Sequence, residues 1–164
     1  MVDALVDWQR AQLPARSREP RVVPRENLHV TLAFLGGRPA DEVQGIVGAL
    51  HAAAAAARPV VLQPARYRET RSVGMIVLSD ETGAGAALAA DLGTRLEVLG
   101  VYRREQRDWL PHVTVLRFRE RPRLRPTLPA RENIRSVRCA LYRSTLGPGG
   151  ARYDVLESVA LGGR

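Results

Sequence analysis

Two short segments constrain this chain more than anything in its composition. Residues 28–35 read Leu-His-Val-Thr-Leu-Ala-Phe-Leu, and residues 110–118 read Leu-Pro-His-Val-Thr-Val-Leu-Arg-Phe. Each sets a histidine two places before a threonine, inside an apolar run. Side chains on a strand point alternately to its two faces. As strands, the segments therefore carry His29 with Thr31, and His112 with Thr114, on one face. Leu28, Val30, Leu32 and Phe34, or Val113 and Val115, take the other. Such segments belong on sheets with one face against a core and one face open to chemistry. The repetition is not accidental. Threonine holds seven of 164 positions, so a given histidine has a chance of roughly 4% of meeting one two places on.

The rest of the chain reads as strands interleaved with helices. Helical spacing of Ala4, Leu5, Trp8 and Gln12 predicts a helix over 3–13, stopped by Pro14. A short extended piece over 21–23 follows. Val43, Ile46, Val47, Leu50 and Ala54 form the apolar stripe of a helix over 39–57, and Leu88, Leu92, Leu96 and Leu99 that of a helix over 85–99. Further strands are expected over 60–67, 73–79, 137–144 and 152–161, the last two paired across Gly147-Pro-Gly-Gly. A proline- and arginine-rich loop is expected over 120–131. This order is not regular βαβ, so the expected class is α+β with antiparallel sheets in a single domain spanning 1–164.

Composition narrows the chemistry. The chain carries 25 basic and 17 acidic residues, for a net charge of +8, and every basic residue is an arginine. A basic balance favours a polyanionic partner. The absence of lysine rules out a nucleotidyl-lysine intermediate, a Schiff base and a P-loop lysine. The single cysteine, Cys139, has no intramolecular partner and reads as a buried small hydrophobe. The first residues carry two acids and no apolar core of a signal peptide, and no apolar run is long enough to span a bilayer. A cytoplasmic, monomeric protein without membrane contact is expected.

Two imidazoles and two hydroxyls suit phosphodiester hydrolysis. A neutral imidazole takes a proton from water, and a protonated one gives a proton to the departing oxygen. Threonine hydroxyls donate to the non-bridging phosphate oxygens, where charge grows. The reaction needs neither metal nor cofactor. A metal site would need three or four ligands, and the third histidine, His51, falls in the helix beside the alanine run.

The motifs and their flanks resemble the two-histidine (2H) phosphoesterase superfamily. The stretches Pro24-Arg-Glu-Asn-Leu-His-Val-Thr-Leu-Ala-Phe-Leu-Gly36 and Leu110-Pro-His-Val-Thr-Val-Leu-Arg117 are similar to its RNA 2′,3′-cyclic phosphodiesterases, also called 2′-5′ RNA ligases of the LigT type. The resemblance covers nearly the whole chain. It implies a bilobal α+β fold, two antiparallel sheets about a central cleft with helices outside. It also implies that His29 and His112 are catalytic, and that Thr31, Thr114 and Arg117 bind the substrate, an RNA ending in a 2′,3′-cyclic phosphate. On the family pattern the 3′-oxygen leaves, giving a 2′-phosphomonoester, with His29 as acid and His112 as base. Strict alternation puts Arg117 opposite His112, so Arg117 reaches the site only where the strand bulges or ends. Phe34 corresponds to a family aromatic, but its alternation reads as core. The family's opening apolar strand has no counterpart here, so either the native start lies upstream of Met1 or the strand is lost.

Three other uses of these residues remain open on sequence alone. One is ATP-independent 2′-5′ RNA ligation. Another is a different 2H substrate, such as ADP-ribose cyclic phosphate or a cyclic oligoadenylate. The third is non-catalytic RNA binding. Arg117, Arg119, Arg121, Arg123 and Arg125 alternate in sequence, which reads either as a solvated strand edge running into a loop or as a track for single-stranded RNA. Trp109, Tyr102 and Tyr67 are the aromatic candidates for base stacking.

Overall fold

The computed structural model describes residues 2–13, 20–130, 133–147 and 150–162. Expectations that fall on Pro14, Arg131, Pro148 and Gly149 lie outside the described residues. Helices α1 (Val2–Gln12), α2 (Val43–Ala56) and α3 (Ala84–Val98) join strands β1 (Arg21–Val22), β2 (Val60–Glu69), β3 (Val73–Ser79), β4 (His112–Arg117), β5 (Ile134–Ser136), β6 (Arg138–Gly147) and β7 (Gly150–Ala160). Two sheets result, one of five strands in the order β1-β4-β3-β2-β5 and one made of β6 and β7. The pairs β1–β4, β4–β3, β3–β2 and β6–β7 are antiparallel, as the α+β reading expects. The chain divides into two compact units, residues 1–31, 62–79 and 110–134, and residues 32–61, 80–109 and 135–164.

In the first unit, Trp8, Leu13, Val23, Leu62, Ile76, Leu78, Val113, Val115, Leu116 and Phe118 are buried. Strand β4 carries one extra residue against β3. Met75 pairs with Thr114 and Gly74 with Leu116, which leaves Val115 as a bulge. Val115 and Leu116 are consecutive, yet both are 0% exposed. Burying each is worth about 2 kcal/mol, more than the roughly 1 kcal/mol net of one ladder hydrogen bond. The Val115 carbonyl is satisfied anyway, by the Val23 N–H at 3.0 Å and by Gln9 Nε2 at 3.0 Å. Gln9, 2% exposed, also donates to the Val23 carbonyl at 3.0 Å, so it ties α1 to both edges of the bulge.

The first motif departs from expectation. A strand over 28–35 does not form, and only Val30 makes a bridge, to Val113. The reason lies upstream. Segment 21–31 follows the free edge of β4, pairing Val22 with Leu116 and later Val30 with Val113. It advances eight positions (22 to 30) while β4 advances three (113 to 116), and the 3-10 turn Arg25–Asn27 absorbs the excess. No regular ladder can span such a loop-out. Phe34 is 79% exposed, so its reading as core is wrong. Alternation has no meaning for a residue outside a paired strand.

In the second unit, α2 buries Ile46, Ala49, Leu50, Ala53 and Ala54, and packs on α3 and the β6–β7 hairpin. The helix expected from residue 39 opens instead with a 3-10 turn, Ala40–Glu42. The hairpin runs longer than the apolar pattern indicates, through polar residues, because backbone pairing continues to Gly147 and Gly150. Cys139 is only half-buried, not the core residue expected, since a two-stranded hairpin has little to cover it. Burial still pushes its thiol above the usual range. Strand β5 has no counterpart among the sequence expectations. Its three residues, Ile-Arg-Ser, are too few to show a period.

Candidate active site on the β4 edge

The bridge between Val30 and Val113 is antiparallel. Its flanking positions therefore set His29 across from Thr114, and Thr31 across from His112. Val30 and Val113 share the opposite face, Val113 being buried. The four motif residues thus stand together on one face of the first unit's sheet, and all are half-buried. His29 and His112 are diagonal neighbours in this register, at about 7–8 Å between backbones.

The two histidines are held alike. Nδ1–H of His29 donates to the Asn27 carbonyl at 2.8 Å, and Nδ1–H of His112 donates to the Leu110 carbonyl at 2.8 Å. In each case the acceptor is the backbone two residues earlier. A carbonyl only accepts, so both rings carry their proton on Nδ1 when neutral, which leaves the lone pair on Nε2. Pro111 assists on the second side, where its carbonyl accepts from the Leu78 N–H at 2.9 Å and fixes the entry to β4.

Arg117 joins this face because of the bulge. Residues Val73, Met75 and Val77 of β3 alternate regularly, and they pair with Arg117, Thr114 and His112 in turn. Partners across an antiparallel ladder point to the same side, so Arg117, Thr114 and His112 are side by side. The condition that strict alternation imposed on Arg117 is met by the extra residue Val115. Arg117 is exposed at the end of β4, and Arg21 lies across from it on β1.

Other sequence candidates fall elsewhere. Tyr67 is on the buried face, where its hydroxyl donates to Glu69 at 3.1 Å. A Cβ at Gly74 would collide with that hydroxyl, so a larger residue there would displace the Tyr67 ring. Burial, then the Glu69 charge, holds the Tyr67 phenol well above the ordinary tyrosine range. Tyr67 is therefore unavailable for stacking. The alternating arginines after β4 form no strand. Glu69, buried, accepts instead from Arg121 Nε at 3.1 Å and from the backbone N–H groups of Arg123 and Leu124 at 3.0 and 2.8 Å. Those bonds hold Arg123 at a φ of 56°, a left-handed geometry unusual for a side chain of its size. In the second unit, the Trp109 ring lies over Gly85, where a Cβ would come within 2.9 Å of it, and Tyr102 flanks Gly93. His51 approaches Glu157 at 3.6 Å.

Sequence reasoning missed Gln9 and Glu69. Both are polar residues serving as internal braces, one for the bulge and one for the arginine loop. Their signal is faint: each is an unremarkable polar residue until the backbone groups it satisfies are placed around it.

Comparison with known proteins shows the family and the fold. Residues 2–144 match the model of the 2′-5′ RNA ligase superfamily. The RNA 2′,3′-cyclic phosphodiesterase of Thermus thermophilus is 32% identical, over 98% of this chain and 84% of that protein. The crystal structure of TT0787 from Thermus thermophilus superposes with a TM-score of 0.83 at 29% identity, covering 99% of this chain and 92% of that one. Escherichia coli LigT complexed with 3′-AMP shares the fold at a TM-score of 0.78 and 23% identity, covering 98% and 90%.

Proposed function

The chain belongs to the 2′-5′ RNA ligase superfamily, and from that membership we propose that it is an RNA 2′,3′-cyclic phosphodiesterase working by two-histidine acid–base catalysis. One observation carries the reading: the Val30–Val113 register, which gathers both His-x-Thr pairs on one face. The Thermus thermophilus relative is named for the same activity.

Water attacks phosphorus in line with the leaving ribose oxygen. His112 Nε2 takes the proton of the water, and protonated His29 gives its Nε2 proton to the 3′-oxygen as the P–O bond breaks. Each ring keeps its Nδ1 proton on a backbone carbonyl throughout. The diagonal spacing leaves room for one phosphate between the rings. Thr31 and Thr114 donate to the non-bridging oxygens, and Arg117 supplies positive charge beside them. The product is a 2′-phosphomonoester, and the next turnover starts once the two histidines have exchanged protons with solvent. No step calls for a metal or cofactor.

The test is to incubate the purified protein with an RNA oligonucleotide ending in a 2′,3′-cyclic phosphate, alongside ADP-ribose cyclic phosphate and a cyclic oligoadenylate. Opening of the RNA end without ATP is expected. An untouched RNA end with turnover of either other compound would assign a different 2H substrate.

A further inference from the structure

The face that carries the motifs continues beyond β3 onto β2. Val77 pairs with His112 on one side and Arg66 on the other, and Met75 pairs with Thr114 and with Arg68. Two rows therefore cross the sheet, His112–Val77–Arg66 and Thr114–Met75–Arg68, with all six side chains on one face. Val77 and Met75 are buried, and form an apolar floor between the histidine edge and the arginines. A bulge at Ala65, between Pro64 and Arg66, brings the strand into this phase.

The charge on this face is of one sign. Arg66, Arg68, Arg117 and Arg21 all fall on it, while Glu69 is the only acidic residue in β1 to β4 and lies on the opposite face. Several arginines elsewhere do have carboxylate partners: Arg25 pairs with Asp3, Arg95 with Asp91, Arg104 with Glu97, and Arg143 and Arg152 with Asp154. Among the described residues no carboxylate pairs with Arg66 or Arg68, and both are exposed. Two exposed guanidinium groups on a face of one charge sign, with no carboxylate partner among the described residues, are presented to an outside anion.

Resting on the reading that the histidine edge holds the cyclic end of an RNA, we propose that Arg66 and Arg68 form a second subsite, for the phosphodiester backbone upstream of that end. Two strand spacings separate them from His112, about 10 Å, and three from His29, about 14 Å. At that spacing the two guanidinium groups flank the histidine edge, where the phosphates that precede the reacting one would lie. The subsite reads backbone and not bases, so it selects polynucleotide over mononucleotide without sequence preference.

The test compares a 2′,3′-cyclic mononucleotide with a single-stranded RNA oligonucleotide carrying the same cyclic end, in the wild type and in the Arg66→Gln/Arg68→Gln double variant. The ratio of kcat/KM for oligonucleotide to kcat/KM for mononucleotide should fall about tenfold in the variant. The salt slope of RNA binding should become shallower by roughly 0.7 for each phosphate no longer neutralised. The double variant Arg58→Gln/Arg71→Gln removes the same charge from exposed positions outside the strands of this sheet and should leave the ratio as it was. An equal fall in both double variants, or no fall in either, overturns the subsite. Fluorescence anisotropy with labelled oligonucleotide measures binding apart from turnover. If the wild type opens neither substrate, the phosphodiesterase reading fails, while the anisotropy comparison still decides the subsite.

Discussion

His29 stands directly across the sheet edge from Thr114, in the register set by the neighbouring Val30–Val113 bridge. The reciprocal pair is Thr31 and His112. Each histidine thus shares its immediate surroundings with the other motif's threonine, so the two motifs form one cluster. Replacing either His29 or His112 with alanine should lower turnover at least about a hundredfold, the usual loss when general acid–base catalysis is removed. Both rings are half-buried at the surface of the sheet, so circular dichroism and melting temperature should change little. Near-native turnover in either variant would falsify the two-histidine mechanism.

The threonines make a separate claim. Thr31→Val and Thr114→Val keep shape and remove only the hydroxyl. If the hydroxyls stabilise charge growing on the phosphate, each change should cost on the order of a hundredfold in kcat, with KM little altered. Because His29 faces Thr114, the cost of His29→Ala and Thr114→Val combined should be less than the product of the separate costs. Losses that appear in KM alone would mean the hydroxyls only help bind the ground state.

Glu69 and Tyr67 link the loop after β4 to stability at alkaline pH. Burial and the Glu69 charge raise the folded Tyr67 phenol above its ordinary value of 10.0. The unfolded phenol ionises first as pH rises, so stability is unaffected below that value and is lost progressively above it. Melting temperature of the wild type should therefore drop more steeply above pH 10.0 than that of Tyr67→Phe. Parallel pH curves for the two proteins would exclude Tyr67 as the source. At neutral pH the Phe variant should lose about 2 kcal/mol, the net worth of a hydrogen bond to a charged group such as Glu69.

What could be read from the sequence follows from where periodicity is informative. The apolar stripes of α2 and α3 and the runs of β3 and β4 are long enough to fix their period, and those elements occur close to their expected limits. The His-x-Thr duplicate named the four residues that the register brings together. Periodicity failed where pairing is interrupted. The 3-10 turn at Arg25–Asn27 reduces the first motif to one bridge, which leaves Phe34 exposed against expectation. The bulge at Val115 reverses the alternation after Thr114, which is why Arg117 lands on the same face as the histidines. Both irregularities depend on interactions between residues distant in sequence, Gln9 with Val115 among them. No local pattern encodes such interactions.

Metal independence is open to direct measurement. Among the described residues no three of histidine, cysteine, aspartate and glutamate group closely enough to hold an ion, and the acid–base scheme gives a metal no step to serve. Turnover of the cyclic-phosphate RNA should survive exhaustive chelation. Loss of activity on chelation, restored by zinc or manganese, would replace the scheme with a metal-activated water.

The final expectation concerns which bond breaks. A 2′,3′-cyclic phosphate offers the 2′- and the 3′-oxygen as leaving groups. Attack and departure are collinear at phosphorus, so water held by one histidine can expel only the oxygen that faces the other. The register sets the two rings diagonally across one phosphate width, with Nε2 as the working atom on each. With His112 on the water and His29 on the 3′-oxygen, the sole product is a 2′-phosphomonoester. Phosphorus NMR of the hydrolysed oligonucleotide, or chromatography against both phosphomonoester standards, distinguishes the isomers. Removing His29 tests the roles further. A substrate with a better leaving group at the 3′ position needs no acid, so it should recover turnover in His29→Ala and not in His112→Ala. A 3′-phosphomonoester product, or rescue in the His112 variant, would mean that the RNA end lies in the reverse sense and that the two histidines exchange roles.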